Sequence, residues 1–277
     1  MLWHDRTGSF SPLKAATLAL LCLPALWLAW RWGMGTLGPR RLDAAIHYTG
    51  NWAVRILVAS LLVTPLRQIL RRGRLILIRR MVGVAALAYA VLHLLLFIAD
   101  QNFQLGHVAA EIIKRVYLWI GFAALLGLIA LGATSFDSAI RRLGARAWGR
   151  LHRWVYPIAL LGLIHFSLQT KSDVTEATLT TGLFLWLMAY RLAAPRNAAP
   201  AGWVLLALAP GCGLATAALE FAWYGLATGI NPWRVLEANL DVAYGPRPAL
   251  WVGLLALLPF LLRFWPTPTH PHRAAPA

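Results

Sequence analysis

Long apolar runs recur along the chain at 13–32, 49–66, 81–99, 116–133, 153–170, 177–193, 202–228 and 249–265. A helix of about 20 such residues crosses the hydrocarbon core of a bilayer. Inside that core every backbone N–H and C=O needs an internal partner, which leaves helices as the solution for runs of this kind. A water-soluble domain is excluded: 59% of the residues are hydrophobic and 13% charged, against about 45–50% and about 25% in soluble domains. The same apolar content excludes a solvated, disordered chain. The sequence therefore predicts an all-α, polytopic transmembrane helix bundle of eight spans. The first run is read as a span and not a signal peptide. It is long, holds Pro24, ends in the aromatic stretch Trp27 to Trp32 and offers no convincing small-residue cleavage site.

Twenty-six Lys and Arg against ten Asp and Glu give a formal net charge of +16. In a soluble domain that balance would point to nucleic acid. Here the basic residues sit in short loops between spans, where they set orientation. The loop after the second run carries Arg67, Arg71, Arg72, Arg74, Arg79 and Arg80 without an acid; the loop after the fourth carries Arg141, Arg142, Arg146 and Arg150 against Asp137. The alternate loops are nearly neutral, with Asp100, Glu111, Lys114 and Arg115 in one and Lys171, Asp173 and Glu176 in the other. The positive-inside rule puts the arginine-rich loops in the cytoplasm, and eight spans then put both termini there. The loop between the first two runs, with Arg31, Arg40, Arg41 and Asp43, weakly opposes this. No loop is long enough to build a domain with its own core, and no dinucleotide-binding fingerprint is present on a strand–turn–helix unit. A Pro- and Ala-rich break at 193–200 separates six spans, within 1–193, from a final pair within 194–277.

Ionisable residues inside spans are costly and mark functional sites by default. His93 lies deep in the third span and His165 deep in the fifth, each a few residues short of the outer end of a span that runs outward. At 1.5 Å per residue the two imidazoles stand at nearly one depth. Two such groups on different helices can hold the iron of a b-type haem from both faces, or they can bridge helices through hydrogen bonds to backbone or hydroxyls. Cys22 and Cys212 lie in apolar runs, and there is no C-x-x-C-H attachment site for c-type haem. His152 stands at the cytoplasmic entrance of the fifth span, thirteen residues before His165. On one ideal helix that is about 20 Å of rise, with the rings roughly 140° apart. The equivalent positions before His93 hold Arg79 and Arg80, so a symmetric four-histidine arrangement is broken. His152 is a candidate haem ligand or a contact for propionates or a flavin phosphate; an interfacial histidine is the alternative. His47, at the outer edge of the second span, is a candidate third contact or quinone-site residue, and Arg55 is expected to snorkel outward or pair with haem propionates.

The run from Thr134 to Gly144, followed by Trp148 to Tyr156 and then His165, resembles the MsrQ family, formerly YedZ. Supporting stretches are Ile46 to Gly50, Leu62 to Pro65, Arg79 to Gly83 leading to His93, and Lys114 to Tyr117. The likeness covers about residues 36–192, with Val116 where a proline is common in the family. It implies a six-span, ferric-reductase-like haem core in a bacterial inner membrane, with His93, His165 and His152 as the haem-binding histidines and FMN as an associated cofactor. It further implies electron transfer from the quinone pool or a cytosolic flavin reductase to MsrP, a periplasmic molybdenum-containing methionine sulfoxide reductase subunit. It implies nothing about the final pair of spans, 201–265. The competing functions are a stand-alone transmembrane ferric or quinone reductase and a non-redox transporter or scaffold.

Overall fold

A computed structural model describes residues 3–4, 8–170, 173–195, 198–243 and 245–264. Lys171, the middle of the 193–200 break, the last residue of the 249–265 run, and His270 and His272 lie outside the described residues. The helices are α1 (Pro12–Gly33), α2 (Arg41–Ile69), α3 (Ile76–Asp100), α4 (Leu105–Lys114), α5 (Val116–Ala133), α6 (Asp137–His152), α7 (Val155–Thr170), α8 (Thr175–Ala193), α9 (Gly202–Trp223), α10 (Pro232–Ala238) and α11 (Pro248–Leu262). A 3-10 turn, Gly73–Leu75, leads into α3, and a π turn, Tyr224–Thr228, extends α9. Each of the eight expected runs is a helix in place. Five reach span length and hydropathy unaided: α1, α2, α3 with its 3-10 turn, α5, and α9 with its π turn.

The other three differ for physical reasons. α7 and α11 are 16 and 15 residues long, so they cover about 24 Å of a core about 30 Å thick. α8 has the length but carries Thr175, Glu176, Thr178, Thr180, Thr181 and Arg191. It turns several of these inward, with Thr178 and Thr180 buried. Three further helices lie in loops that the hydropathy reading leaves irregular: α4, α6 inside the arginine-rich loop, and the short α10 between the last two runs. Within α6 the backbone breaks at Gly144, whose φ of 73° suits glycine.

α2 is the central post, packed on α1, α3, α7 and α8, while α5 lies against α3 and α7. Along α2 the residues Ala53, Ile56, Leu57, Val58 and Leu61 are buried, meeting Ala86 and Tyr89 of α3 and Leu187 and Tyr190 of α8 in one core. Pro24 interrupts the hydrogen-bond ladder of α1. The Tyr89 hydroxyl enters that gap, donating to the Leu21 carbonyl at 2.8 Å and accepting from the Ala25 N–H at 2.9 Å. The interrupted helix is thus stitched to α3.

α9 and α11 pair with each other and lie against α8. At their end opposite the arginine-rich loops, the fully buried Glu220 carboxylate accepts from Arg247 and from Asn239 Nδ2 at 3.0 Å. Removing one partner of a buried ion pair strands the other. Because Arg247 stays 29% exposed, Glu220→Ala is expected to cost about 3 kcal/mol, the lower end of the range for such pairs. Thermal unfolding of the detergent-solubilised protein measures this, and an unchanged midpoint would contradict it.

Candidate functional site

Between α2, α3, α5 and α7, in the half of the bundle away from the arginine-rich loops, lies a cavity of about 380 Å³. That is within the range of cofactor pockets, about 300–1,000 Å³. Its walls are mainly apolar, with Leu57, Leu94, Phe97, Leu125 and Leu128 among them. The last third of α3 brings in His93 and the last third of α7 brings in His165, and the two rings stand 6.2 Å apart, centre to centre, at 76°. Each imidazole is anchored in the same way. His93 Nδ1 is 2.8 Å from the Ile46 carbonyl oxygen, and His165 Nδ1 is 2.7 Å from that of Tyr117. A carbonyl can only accept, so each Nδ1 carries the proton and donates it, leaving each Nε2 with a lone pair for a metal.

Two helical glycines make room for these rings. A Cβ on Gly50 would lie 3.0 Å from His93 Nδ1, and a Cβ on Gly121 would lie 2.7 Å from His165 Nδ1 and 2.9 Å from its Cγ. Any other residue at 121 would push the imidazole out of position. Among the described residues, no group of three His, Cys, Asp or Glu forms a metal-ligand set. The two-nitrogen donor set therefore suits an iron whose remaining positions are filled by a porphyrin. Ring centres 6.2 Å apart would leave room for one metal ion between the two imidazoles. The cradle fits a bis-histidine haem.

His152 is not part of this cradle. It lines a second cavity, of about 450 Å³, at the arginine-rich end, together with Ser60, Arg79, Arg80, Ser135 and Trp148. The expected continuous helix from His152 to His165 is replaced by a break. α6 ends at His152, Arg153 and Trp154 form a turn, and α7 starts at Val155. The helical phase between the two histidines therefore has no meaning, and the α6 backbone sets the direction of the His152 ring. Trp148 stacks on that ring at 4.0 Å and 26°. The His152 Nδ1 faces the Trp148 carbonyl at 3.2 Å, and its Nε2 lies 3.3 Å from Ser135 Oγ. Burial holds this imidazole below its ordinary range, against the raising effect of the Trp148 carbonyl, and nearby Arg79 lowers it further. Its Nε2 edge faces a serine hydroxyl. Leu57 and Leu128 line both cavities, so one layer of side chains separates them.

His47 stands at the rim of the first cavity, with Nδ1 2.8 Å from the Asp43 carbonyl and Nε2 3.4 Å from Gln169 Nε2. It lies inside α2, which begins at Arg41, and not at a helix edge. Arg55 does not reach the cavity; it stacks over Trp52 and pairs with Glu176 at 2.6 Å, tying α2 to α8. Two site residues escape a reading based on histidines. Gly50 appears in the sequence only as part of a motif, and Gly121 in an apolar run; a glycine inside a span is the one signal that could single them out. Arg115, also on the cavity wall, adds a cation at its rim.

A profile described as the ferric reductase like transmembrane component matches residues 49–163, a segment that contains His93 and His152 and stops before His165. Among similar proteins, one from Rhodospirillum rubrum is 40% identical over 196 residues, 68% of this chain and 89% of the relative. One from Caulobacter vibrioides is 38% identical over 170 residues, 61% of this chain and 81% of the relative. One from Xanthomonas axonopodis pv. citri is 40% identical over 183 residues, 65% of this chain and 84% of the relative. All three bear the name protein-methionine-sulfoxide reductase heme-binding subunit MsrQ. No solved structure matches the chain significantly.

Proposed function

Because the chain belongs to the MsrQ family, we propose that it is the haem-binding membrane subunit of a methionine sulfoxide reductase system. In this reading it carries electrons across the bacterial inner membrane to a periplasmic catalytic subunit, the molybdenum-containing MsrP, from a quinol or a cytosolic flavin reductase. The observation that carries the reading is the pair of imidazoles 6.2 Å apart, each with Nδ1 committed to a carbonyl. Haem b, when bound, supplies one-electron redox chemistry. Everything else is done by the chain. His93 and His165 would hold the iron through Nε2, and the Ile46 and Tyr117 carbonyls hold the two tautomers and ring directions. Gly50 and Gly121 leave the rings free to enter, and the leucine and phenylalanine walls keep water away.

By the positive-inside rule the arginine-rich end is cytoplasmic. That puts the His93/His165 cradle in the periplasmic half, on the side where sulfoxides in envelope proteins accumulate. Their repair consumes two electrons per methionine sulfoxide. The second cavity, with His152, lies on the donor side and is assigned a second cofactor, a further haem b or FMN. Residues 1–193 form the electron-transfer unit and 194–277 an accessory pair of helices.

The test is reconstitution. Full-length protein in proteoliposomes, reduced from one side with a quinol or a flavin reductase, is expected to support methionine sulfoxide reduction by an added periplasmic catalytic subunit. It is expected to oxidise no NADPH by itself. Reduction of ferric chelates with no delivery to the catalytic subunit would favour the stand-alone ferric reductase instead.

A further inference from the structure

The proposed electron path leaves unused two arginines at the basic end, on the α8 side of the bundle, beside a third, Arg79, that also lines the His152 cavity. Arg67 lies in the last turn of α2, Arg79 in the first turns of α3 and Arg191 in the last turn of α8. The Tyr190 hydroxyl donates to Gln68 at 3.1 Å, which sets the ends of α8 and α2 side by side, and Arg79 lines the second cavity with Leu61, whose carbonyl accepts from Arg191. Arg191 stacks over the Tyr156 ring at 5.3 Å and donates to the Tyr156 hydroxyl and to the carbonyls of Leu187 and Leu61, all neutral acceptors. Arg67 Nε is buried without a partner among the described residues. Asp137, an acid at this end, pairs with Arg80. Three like charges are thus gathered, and among the described residues no carboxylate is paired with them. Such an arrangement is held together at a cost unless an anion sits on it.

We propose that Arg67, Arg79 and Arg191 bind the phosphate headgroup of an anionic phospholipid of the cytoplasmic leaflet. Basic pockets between transmembrane helices on that side take acidic headgroups, and guanidinium groups bind phosphate oxygens in pairs of parallel hydrogen bonds. The surroundings suit a lipid better than a small soluble anion. Leu62 and Leu192, next to Leu61 and Arg191, are exposed on the bundle surface, Leu192 almost completely. They offer apolar flanks for acyl chains directly beside the cluster. Arg67 and Arg191 do not line the His152 cavity, whereas Arg79 does, so the lipid site adjoins the proposed donor-side cofactor pocket and R67Q tests it apart from that pocket.

The experiment is native mass spectrometry of the full-length protein in detergent, titrated with dioleoylphosphatidylglycerol, with dioleoylphosphatidylcholine, or with the former in the presence of millimolar inorganic phosphate. The expected result is selective retention of phosphatidylglycerol that inorganic phosphate does not displace. R67Q and R79Q are each expected to weaken retention about fivefold, the effect of about one cationic contact at a membrane surface. Circular dichroism and size-exclusion profiles check that both variants are folded, and R71Q, in the adjoining loop, is the charge-matched control expected to retain the lipid. Equal retention of the zwitterionic lipid, or equal weakening by R71Q, would overturn the proposal. Displacement by inorganic phosphate would also overturn the lipid assignment, reassigning the cluster to a soluble phosphate.

Discussion

His93→Ala and His165→Ala are each expected to abolish the bis-histidine haem signal of the purified protein while leaving its helical content unchanged. The two rings reach into one apolar cavity from α3 and α7, while His47 at its rim is turned to the Asp43 carbonyl and to Gln169. Loss of either Nε2 therefore leaves an iron with one protein ligand in a site built for two. Conservative exchange separates ligation from helix bridging. His93→Met offers a thioether where the imidazole was, and Met/His ligation raises a haem potential relative to the bis-imidazole state. That variant is expected to keep haem and shift its midpoint upward, measured by a redox titration of the visible bands. A histidine that served only to bridge α3 to the Ile46 carbonyl would give no such shift. A wild-type spectrum in both alanine variants would show that the ligands lie elsewhere.

The second large effect is expected at a residue with no chemistry of its own. At Gly121 an added Cβ would sit 2.7 Å from His165 Nδ1, 2.8 Å from Cε1 and 2.9 Å from Cγ, so it meets the ring itself and not a flexible chain end. The imidazole is also tied to the Tyr117 carbonyl one helical turn earlier on α5, so it cannot retreat without breaking that hydrogen bond. Overpacking of this kind costs about 1–3 kcal/mol, and here it falls on ligand position. Gly121→Val is expected to lower haem retention on the order of tenfold or more, since about 1.4 kcal/mol is tenfold in affinity, and Gly121→Ala less. Gly106→Ala, where the added Cβ meets nothing within 4 Å, is the control. Haem content per chain, by pyridine haemochrome, measures both. Full occupancy in Gly121→Val would mean that His165 is not held where the structure has it.

Much of the bundle is legible in the amino-acid sequence, for an identifiable reason. Where an apolar run and a helix coincide, as at 116–133 and Val116–Ala133, hydropathy marks the helix because burial in lipid and helix formation have one cause. Where the helix runs on through polar residues, hydropathy stops early. α2 begins at Arg41 and not at 49, with Asp43 and His47 in its first turns. α6 is hidden for the opposite reason: its arginines mark orientation, and they mask apolar pairs at helical spacing on each side of the Gly144 break, Ile140 with Leu143 and Ala147 with Leu151. The difference matters for the site, since α6, and not α7, aims His152.

The pairing of His93 with His165 is legible as a shared depth, because rise per residue is fixed along a helix. Depth carries no azimuth. Proximity of the two rings depends on how α3, α5 and α7 pack, and on Gly121 leaving a notch. The Arg55–Glu176 pair shows the same limit, since a snorkelling arginine and a helix-bridging one look alike in sequence.

That the cavity between α2, α3, α5 and α7 holds haem is tested most directly by a dithionite-reduced minus oxidised visible spectrum of the detergent-purified, full-length protein, with haem quantified per chain. The expected result is a set of b-type bands with at least one haem per chain, lost in His93→Ala and His165→Ala. A protein that carries no haem after expression with ample haem supply would contradict the assignment and return the two histidines to the role of helix bridges.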